Sequence, residues 1–150
     1  MKFQRKKVSV VGAGFVGSTL AHWVAAHQLA DVALIDVQGD MAKGKALDLY
    51  QALAVGGQDV QVVGGSDYAL AANSDVVVVT AGVPRKPGMS RDDLLKINAD
   101  IVSCAAGEIK KHAPSAVVII VSNPLDAMCH VFLSQSGFES QRVMGMAGVL

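Results

Sequence analysis

The stretch Lys7-Val-Ser-Val-Val-Gly12-Ala-Gly14-Phe-Val-Gly17-Ser-Thr-Leu20 decides the fold. A β-branched run ends in glycines spaced G-x-G-x-x-G, and a helical period takes over from Phe15. Gly12 permits a tight strand-to-helix turn. Gly14 lacks the Cβ that would hold the backbone away from a ligand, and Gly17 lets the helix lie close to the sheet. The first turn of a helix carries unpaired N–H groups and the positive end of the helix dipole, so the turn suits phosphate. Fifteen glycines in the chain make the pattern easy to meet by chance, and its context is what raises it. Nineteen residues past Gly17, Asp36 closes a second β-branched run. That is the spacing of a dinucleotide site whose carboxylate accepts hydrogen bonds from the adenosine ribose. A carboxylate there repels a 2′-phosphate, which favours NAD over NADP. The competing reading is a structural turn with Asp36 as a strand cap.

Outward from this turn, short β-branched runs alternate with longer stretches of helical period. Lys7–Val11, Val32–Asp36, Val60–Val63, Asp75–Thr80, Ala116–Val121 and Arg142–Met146 read as strands. Several are apolar at consecutive positions, as in parallel strands covered on both faces. Phe15–Gln28, Asp40–Ala54, Ser90–Lys111 and Pro124–Ser136 read as helices, with a shorter one near Tyr68–Ala72. The alternation predicts an α/β fold, an open doubly wound parallel sheet of six strands with helices on both faces. Ser90-Arg-Asp-Asp93 has the spacing of a capping box and opens the longest helix. Pro124 suits a first helical turn.

The 150 residues fit one domain. Thirteen basic and thirteen acidic residues leave no net charge, which excludes the basic stripe of a nucleic-acid binder. The longest apolar runs, such as Val76–Val79 and Ala116–Val121, fall far short of the ~20 residues of a membrane-spanning helix. Lys2, Arg5, Lys6 and Lys7 precede Ser9 and two glycines, so they read as a solvated lead-in to a buried strand. Cys104 and Cys129 form neither a disulfide framework nor a ligand cluster, so a cytoplasmic location and no metal are expected. Charged residues make up 17%, against about 25% in ordinary soluble domains, and apolar residues 51%. The chain therefore has more apolar surface than a free-standing domain needs.

Three further segments are open to chemistry. Gly39–Ala46 almost fits a P-loop, but Ala46 lacks the hydroxyl that would hold Mg²⁺, so Lys43 and Lys45 read as solvated helix charges. Arg85, Lys86 and Arg91 follow the fourth strand, at the edge where open parallel sheets bind ligands. Arginine meets a carboxylate bidentately, so the loop suits a dicarboxylate, and spacing alone leaves solvated loop charges equally open. Asn123 ends the fifth strand, either as an amide for a substrate oxygen or as part of an Asn-Pro turn.

Together Gly12–Gly17, Asp36, Thr80-Ala-Gly-Val-Pro-Arg-Lys-Pro-Gly-Met-Ser-Arg91, Ile97-Asn98 and Val121-Ser-Asn-Pro-Leu-Asp126 resemble the lactate/malate dehydrogenase family, above all its lactate-dehydrogenase-like malate dehydrogenases. The resemblance implies a Rossmann sheet in strand order three-two-one-four-five-six. It implies that Gly12, Ala13, Gly14, Phe15, Val16 and Gly17 bind the pyrophosphate of NAD and Asp36 its ribose. Thr80–Gly82 line the dinucleotide path, and Asn98, Val121, Ser122 and Asn123 reach the nicotinamide half. Arg91 is similar to the arginine that closes over the site and polarises the substrate carbonyl. Arg85 stands at the specificity position, where it pairs the second carboxylate of malate or oxaloacetate. Homo-oligomeric contacts are implied as well, with Trp23 as either an interface anchor or a core or half-buried residue.

The family's acid/base histidine and its aspartate normally follow the Ala-Gly-Val-Leu found here at Ala147–Leu150. His22, His27, His112 and His130 read as surface or core residues instead. The expectation is therefore an NAD-binding domain over residues 1–150, without the catalytic domain, that binds NAD(H) but does not turn over malate. A stand-alone redox-sensing module and a lactate dehydrogenase cofactor domain are the competing readings. Related NAD-dependent glycosidases would need a metal site that the sequence does not offer.

Overall fold

The computed structural model describes residues 5–148; Lys2 of the basic lead-in, and Val149 and Leu150 of the closing Ala-Gly-Val-Leu, lie outside them. The strands are β1 (Lys7–Val11), β2 (Asp31–Ile35), β3 (Val62–Gly65), β4 (Val76–Val79), β5 (Val117–Ile120) and β6 (Val143–Gly145). The helices are α1 (Phe15–Ala26), α2 (Gly39–Val55), α3 (Arg91–His112) and α4 (Leu125–Ser136), with short 3-10 turns at Tyr68–Ala71 and Ser140–Arg142. All neighbouring strands are parallel, in the order β3-β2-β1-β4-β5-β6.

The consecutive apolar positions have a direct cause. Side chains alternate between sheet faces, and each face has its own core. Val10, Val32 and Leu34 pack with α1 and α2, while Val11, Ile35, Val77 and Val79 pack with α3 and α4. Phe132 is wholly buried and meets Phe138 edge to face at 5.7 Å.

Register positions the site. Ile35, Val11, Val79 and Ile120 are aligned across four strands. The next residues, Asp36, Gly12, Thr80 and Val121, therefore leave the sheet along one carboxyl edge. The capping box that opens α3 is formed on both sides: the Ser90 hydroxyl accepts from the Asp93 N–H, and the Asp93 carboxylate accepts from the Ser90 N–H.

Most boundaries shift by one or two residues from the sequence expectation, and three of the shifts have a visible cause. The third strand runs through Gly64 and Gly65 instead of covering Val60–Val63, because α2 lies directly on it. A Cβ on Gly64 would strike the Ala42 carbonyl, so the glycine here is a close-packing residue and not a strand breaker. The first helix stops before Gln28, whose φ of 53° lies outside helical space. Pro124 is the N-cap of α4, one position before its first turn.

The basic lead-in is also less solvated than its composition implies. Arg5 pairs with Asp31 at 3.5 Å and reaches the Asp59 carbonyl. Lys6 pairs with Asp75 at 2.7 Å, and Lys7 Nζ donates to the Ala72 carbonyl. The Lys6 ammonium and the Lys7 N–H hold the Asp75 carboxyl below its ordinary value of 3.8. A lowered folded pKa contributes stability that is complete above the unfolded value and lost as the pH falls through the folded one. Chemical denaturation should therefore show wild type losing stability below about pH 4, with Asp75→Asn less stable at pH 7 and flatter across that range.

Candidate functional site

The three glycines of the turn do different work. Gly12 has φ +104°, and a Cβ on it would lie 2.7 Å from the Ala81 nitrogen. A Cβ on Gly17 would collide with the Gly12 carbonyl oxygen. Gly14 has nothing within 4 Å of where its Cβ would stand, so it faces an open cradle. Gly14 is also the N-cap of α1, has no side-chain cap and is followed by no acidic residue in the first turn. The first-turn N–H groups thus remain available, and the donor set fits the diphosphate of a dinucleotide. Phe15 and Val16 are exposed beside the cradle, whereas Ala13 is wholly buried and presents only its backbone.

Asp36 stands at the rim, half-buried. One carboxylate oxygen accepts from the Ala13 N–H at 2.6 Å, the other from the Gln38 N–H at 2.9 Å. Each oxygen keeps a further acceptor position, so the carboxylate can hold the turn and still receive ribose hydroxyls. This tie between Asp36 and the turn is invisible in the sequence spacing. Thr80 adds a second tie: its hydroxyl bonds the Gly12 carbonyl at 3.0 Å from the end of β4.

A crevice of about 540 Å³ extends from the turn along the carboxyl edge of the sheet. Its walls come from Gly14–Gly17, from Thr80 and Gly82 after β4, from Val83–Arg85, from Leu94 and Asn98 on α3, and from Val121–Asn123 after β5. The structure thus brings together most of the residues singled out from sequence. Gly12 and Ala13 underlie the crevice, and Asp36 and Arg91 lie outside its lining.

Asn98 has a role the sequence reading did not assign. Its side chain is 2% exposed and its amide is used within the protein. Oδ1 accepts from the Val83 N–H at 2.8 Å, and Nδ2 donates to the Asn123 carbonyl at 2.7 Å. It fastens the root of the cationic loop to the end of β5. The signal was present: Asn98 is the polar member of the buried stripe Asn98, Val102, Ala105, Ala106 and Ile109. Asn98→Ala leaves the Val83 N–H without its acceptor, a loss of roughly 1–3 kcal/mol. Faster hydrogen exchange at Val83 and weaker NADH binding are the expected readouts. The Ser122 hydroxyl is likewise used internally, donating to the Ala81 carbonyl at 2.6 Å.

The remaining candidates are freer. The Asn123 side chain is exposed at the crevice mouth, and only its carbonyl is engaged. Arg85 is exposed, with Nε donating to the Met89 carbonyl at 3.1 Å. Arg91 is the first residue of α3, exposed, and has no hydrogen bond or ion pair among the described residues. None of the four histidines lines the crevice. His22 and His27 flank Trp23, which is 54% exposed and so is a half-buried residue and not a core one. His112 lies 3.4 Å from Glu108, and His130 is exposed on α4.

One sequence expectation is corrected. Lys43 is a surface charge 3.4 Å from Asp40, but Lys45 is half-buried and its ammonium donates to the Ala13 carbonyl. Helix α2 directs it back at the glycine turn.

Comparison with known proteins agrees with this geometry. Residues 6–145 match the family described as lactate/malate dehydrogenase, NAD binding domain. Malate dehydrogenase from Rhodopirellula baltica is 58% identical over 149 residues, which cover 98% of this chain and 47% of that protein. The apo structure of malate dehydrogenase from Picrophilus torridus superposes with a TM-score of 0.93 at 41% identity, over 97% of this chain and 46% of that one. Lactate dehydrogenase from Cryptosporidium parvum, solved with lactic acid and nicotinamide adenine dinucleotide, superposes with a TM-score of 0.91 at 41% identity, over 97% and 46%. The chain spans about half the length of the relatives it matches. The glycine turn and the crevice that runs from it thus lie in a chain that belongs to the lactate/malate dehydrogenase family, whose NAD-binding domain it matches over residues 6–145.

Proposed function

We propose that this chain forms the cofactor half of an NAD-dependent malate dehydrogenase, with Arg85 and Arg91 receiving the dicarboxylate. The observation that carries the substrate reading is the pair of exposed guanidinium groups on the segment bordering the NAD crevice, neither of them paired with a carboxylate. When bound, NAD supplies the hydride acceptor and donor. Arg85 pairs the carboxylate distal to the reacting carbon. Arg91 approaches the carbonyl oxygen and stabilises charge growing on it, a role that typically contributes a few kcal/mol. Asn123, at the crevice mouth, donates its amide to the same substrate. Arg85 lines the crevice with its Nε on the Met89 carbonyl, and Arg91, outside the lining at the start of α3, reaches the substrate by movement of the loop.

A lactate dehydrogenase reading leaves Arg85 facing a methyl group, a costly mismatch for a cation taken from water. A redox-sensing module gives the two arginines nothing to bind. The same proposal places the enzyme in the cytoplasm, supported by the free thiols of Cys104 and Cys129. It also includes contacts with a second copy, supported by the exposed Trp23, Leu47 and Tyr50 on α1 and α2.

The acid/base step needs a histidine, and none of this chain's histidines reaches the crevice. The purified chain should therefore bind NADH, respond to oxaloacetate more than to pyruvate in the fluorescence of bound NADH, and oxidise no NADH. Steady oxidation by material free of host enzyme would contradict this reading, as would an equal response to pyruvate.

A further inference from the structure

We propose that Lys45 is a positioning residue of the dinucleotide site, supporting the diphosphate electrostatically while fixing the backbone that receives it. Lys45 comes from the second turn of α2, 32 residues away in sequence from the atom it holds. Its Nζ lies 2.5 Å from the Ala13 carbonyl oxygen, which the Ser18 hydroxyl also bonds at 3.0 Å. The Ala13 N–H is held by Asp36. Both polar ends of the residue before Gly14 are thus fixed by charged side chains, one of each sign.

The charge is the telling part. Lys45 is half-buried, yet no carboxylate lies within 4.0 Å of it among the described residues. A partly buried ammonium held by one carbonyl and facing no carboxylate has room to gain from an anion. Two observations indicate where the missing negative charge goes. The Ala13 carbonyl adjoins Gly14, whose surroundings are open to 4 Å, and the first turn of α1 carries no acidic residue. An anion seated on that turn is within range of the Nζ charge, because the carbonyl that Nζ holds and the Gly14 N–H belong to one peptide unit. The Asp36 carboxylate is a poor substitute. It joins Lys45 only through the Ala13 residue, at a separation of up to about 9 Å. Its two oxygens already accept from the Ala13 and Gln38 N–H groups.

Lys45 therefore has two effects that can be separated. As a hydrogen-bond donor it stiffens the turn for every ligand. As a cation it favours only ligands that carry the diphosphate. The inference rests on NAD binding at the turn and not on the identity of the substrate, so no step of its test uses oxaloacetate.

The test titrates NADH into the purified chain by calorimetry, with adenosine as a competitor lacking phosphate, at low and high salt. Lys45→Met keeps the unbranched stem, one atom shorter, and removes both the charge and the donor. It is expected to weaken NADH about tenfold more than it weakens adenosine, the scale of one partly screened charge interaction. The salt dependence of NADH binding should fall with it, and Lys45→Arg should restore both. Equal weakening of NADH and adenosine would reduce Lys45 to a packing residue and overturn the proposal. Unchanged NADH affinity would do the same. Should Lys45→Met lose its circular dichroism, Lys45→Gln, which keeps an N–H donor, reads the same charge: wild-type NADH affinity in that variant overturns the proposal, and a tenfold loss supports it.

Discussion

Gly14→Val should lower NADH affinity about a hundredfold while leaving the thermal midpoint almost unmoved. The backbone at Gly14 is extended, with φ −67° and ψ −168°, which a β-branched residue adopts without strain. No protein atom lies within 4 Å of its Cβ position, so the side chain grows into the crevice and not into the core. It displaces the diphosphate from the first-turn N–H groups. Loss of one or two charge-assisted hydrogen bonds, at about 1.5–3 kcal/mol each, gives the hundredfold. Gly17→Ala is the contrasting case. Its Cβ meets the Gly12 carbonyl and the Thr80 hydroxyl, so α1 must lift from the sheet or the turn must open. Overpacking of that kind costs about 1–3 kcal/mol, or a fall of roughly 2–12 °C in midpoint for a chain of this size. Thermal melts and NADH titrations on the two variants should separate a ligand-facing glycine from a packing glycine. A large fall in the Gly14→Val midpoint would mean that the cradle is not open.

The second large effect concerns the loop. In a dehydrogenase of which this chain forms the cofactor half, Arg91→Ala should reduce kcat/KM for oxaloacetate by two to three orders of magnitude. Removing one partner of a desolvated charge pair costs roughly 3–5 kcal/mol. Arg85→Gln should act differently. It removes the partner of the distal carboxylate, so oxaloacetate loses most of its advantage over pyruvate, and pyruvate should improve in absolute terms. NADH affinity should stay within about twofold in Arg85→Gln, since ordinary surface substitutions change free energy by about 0.5 kcal/mol or less. Steady-state kinetics with both 2-oxo acids measure this. Unchanged discrimination in Arg85→Gln would remove that residue from the substrate site.

Much of this was legible in the chain, and the exceptions share a cause. The alternation of strands and helices, the glycine turn and the capping box at Ser90 follow from local pattern, because each depends on residues within a few positions of one another, whereas the strand order was implied only by the family resemblance. Contacts between elements carry no such pattern. The third strand reads as ending at Val63 until α2 is seen lying on Gly64. Lys45 reads as one of several helix charges until its ammonium is found on Ala13, across 32 residues. Asn98 is the intermediate case. Its place in an otherwise apolar buried stripe signals a role, but only the fold shows that the role is to join Val83 to Asn123. Arg85 and Arg91 are exposed loop and helix-start residues, so neither spacing nor burial distinguishes a clamp from solvated charges. Their chemistry is the least fixed by physics and the most dependent on the ligand.

The central claim is that the turn at Gly12–Gly17 and the carboxylate of Asp36 form one NAD site, and a single comparison tests it most directly. NADH and NADPH are titrated separately into the purified chain by calorimetry. NADH should bind with one site per chain. NADPH should bind at least about tenfold more weakly, because its 2′-phosphate is brought against the Asp36 carboxylate and like charges at contact distance cost on the order of 1–4 kcal/mol. Equal affinity for the two, or no binding of NADH, would contradict the account.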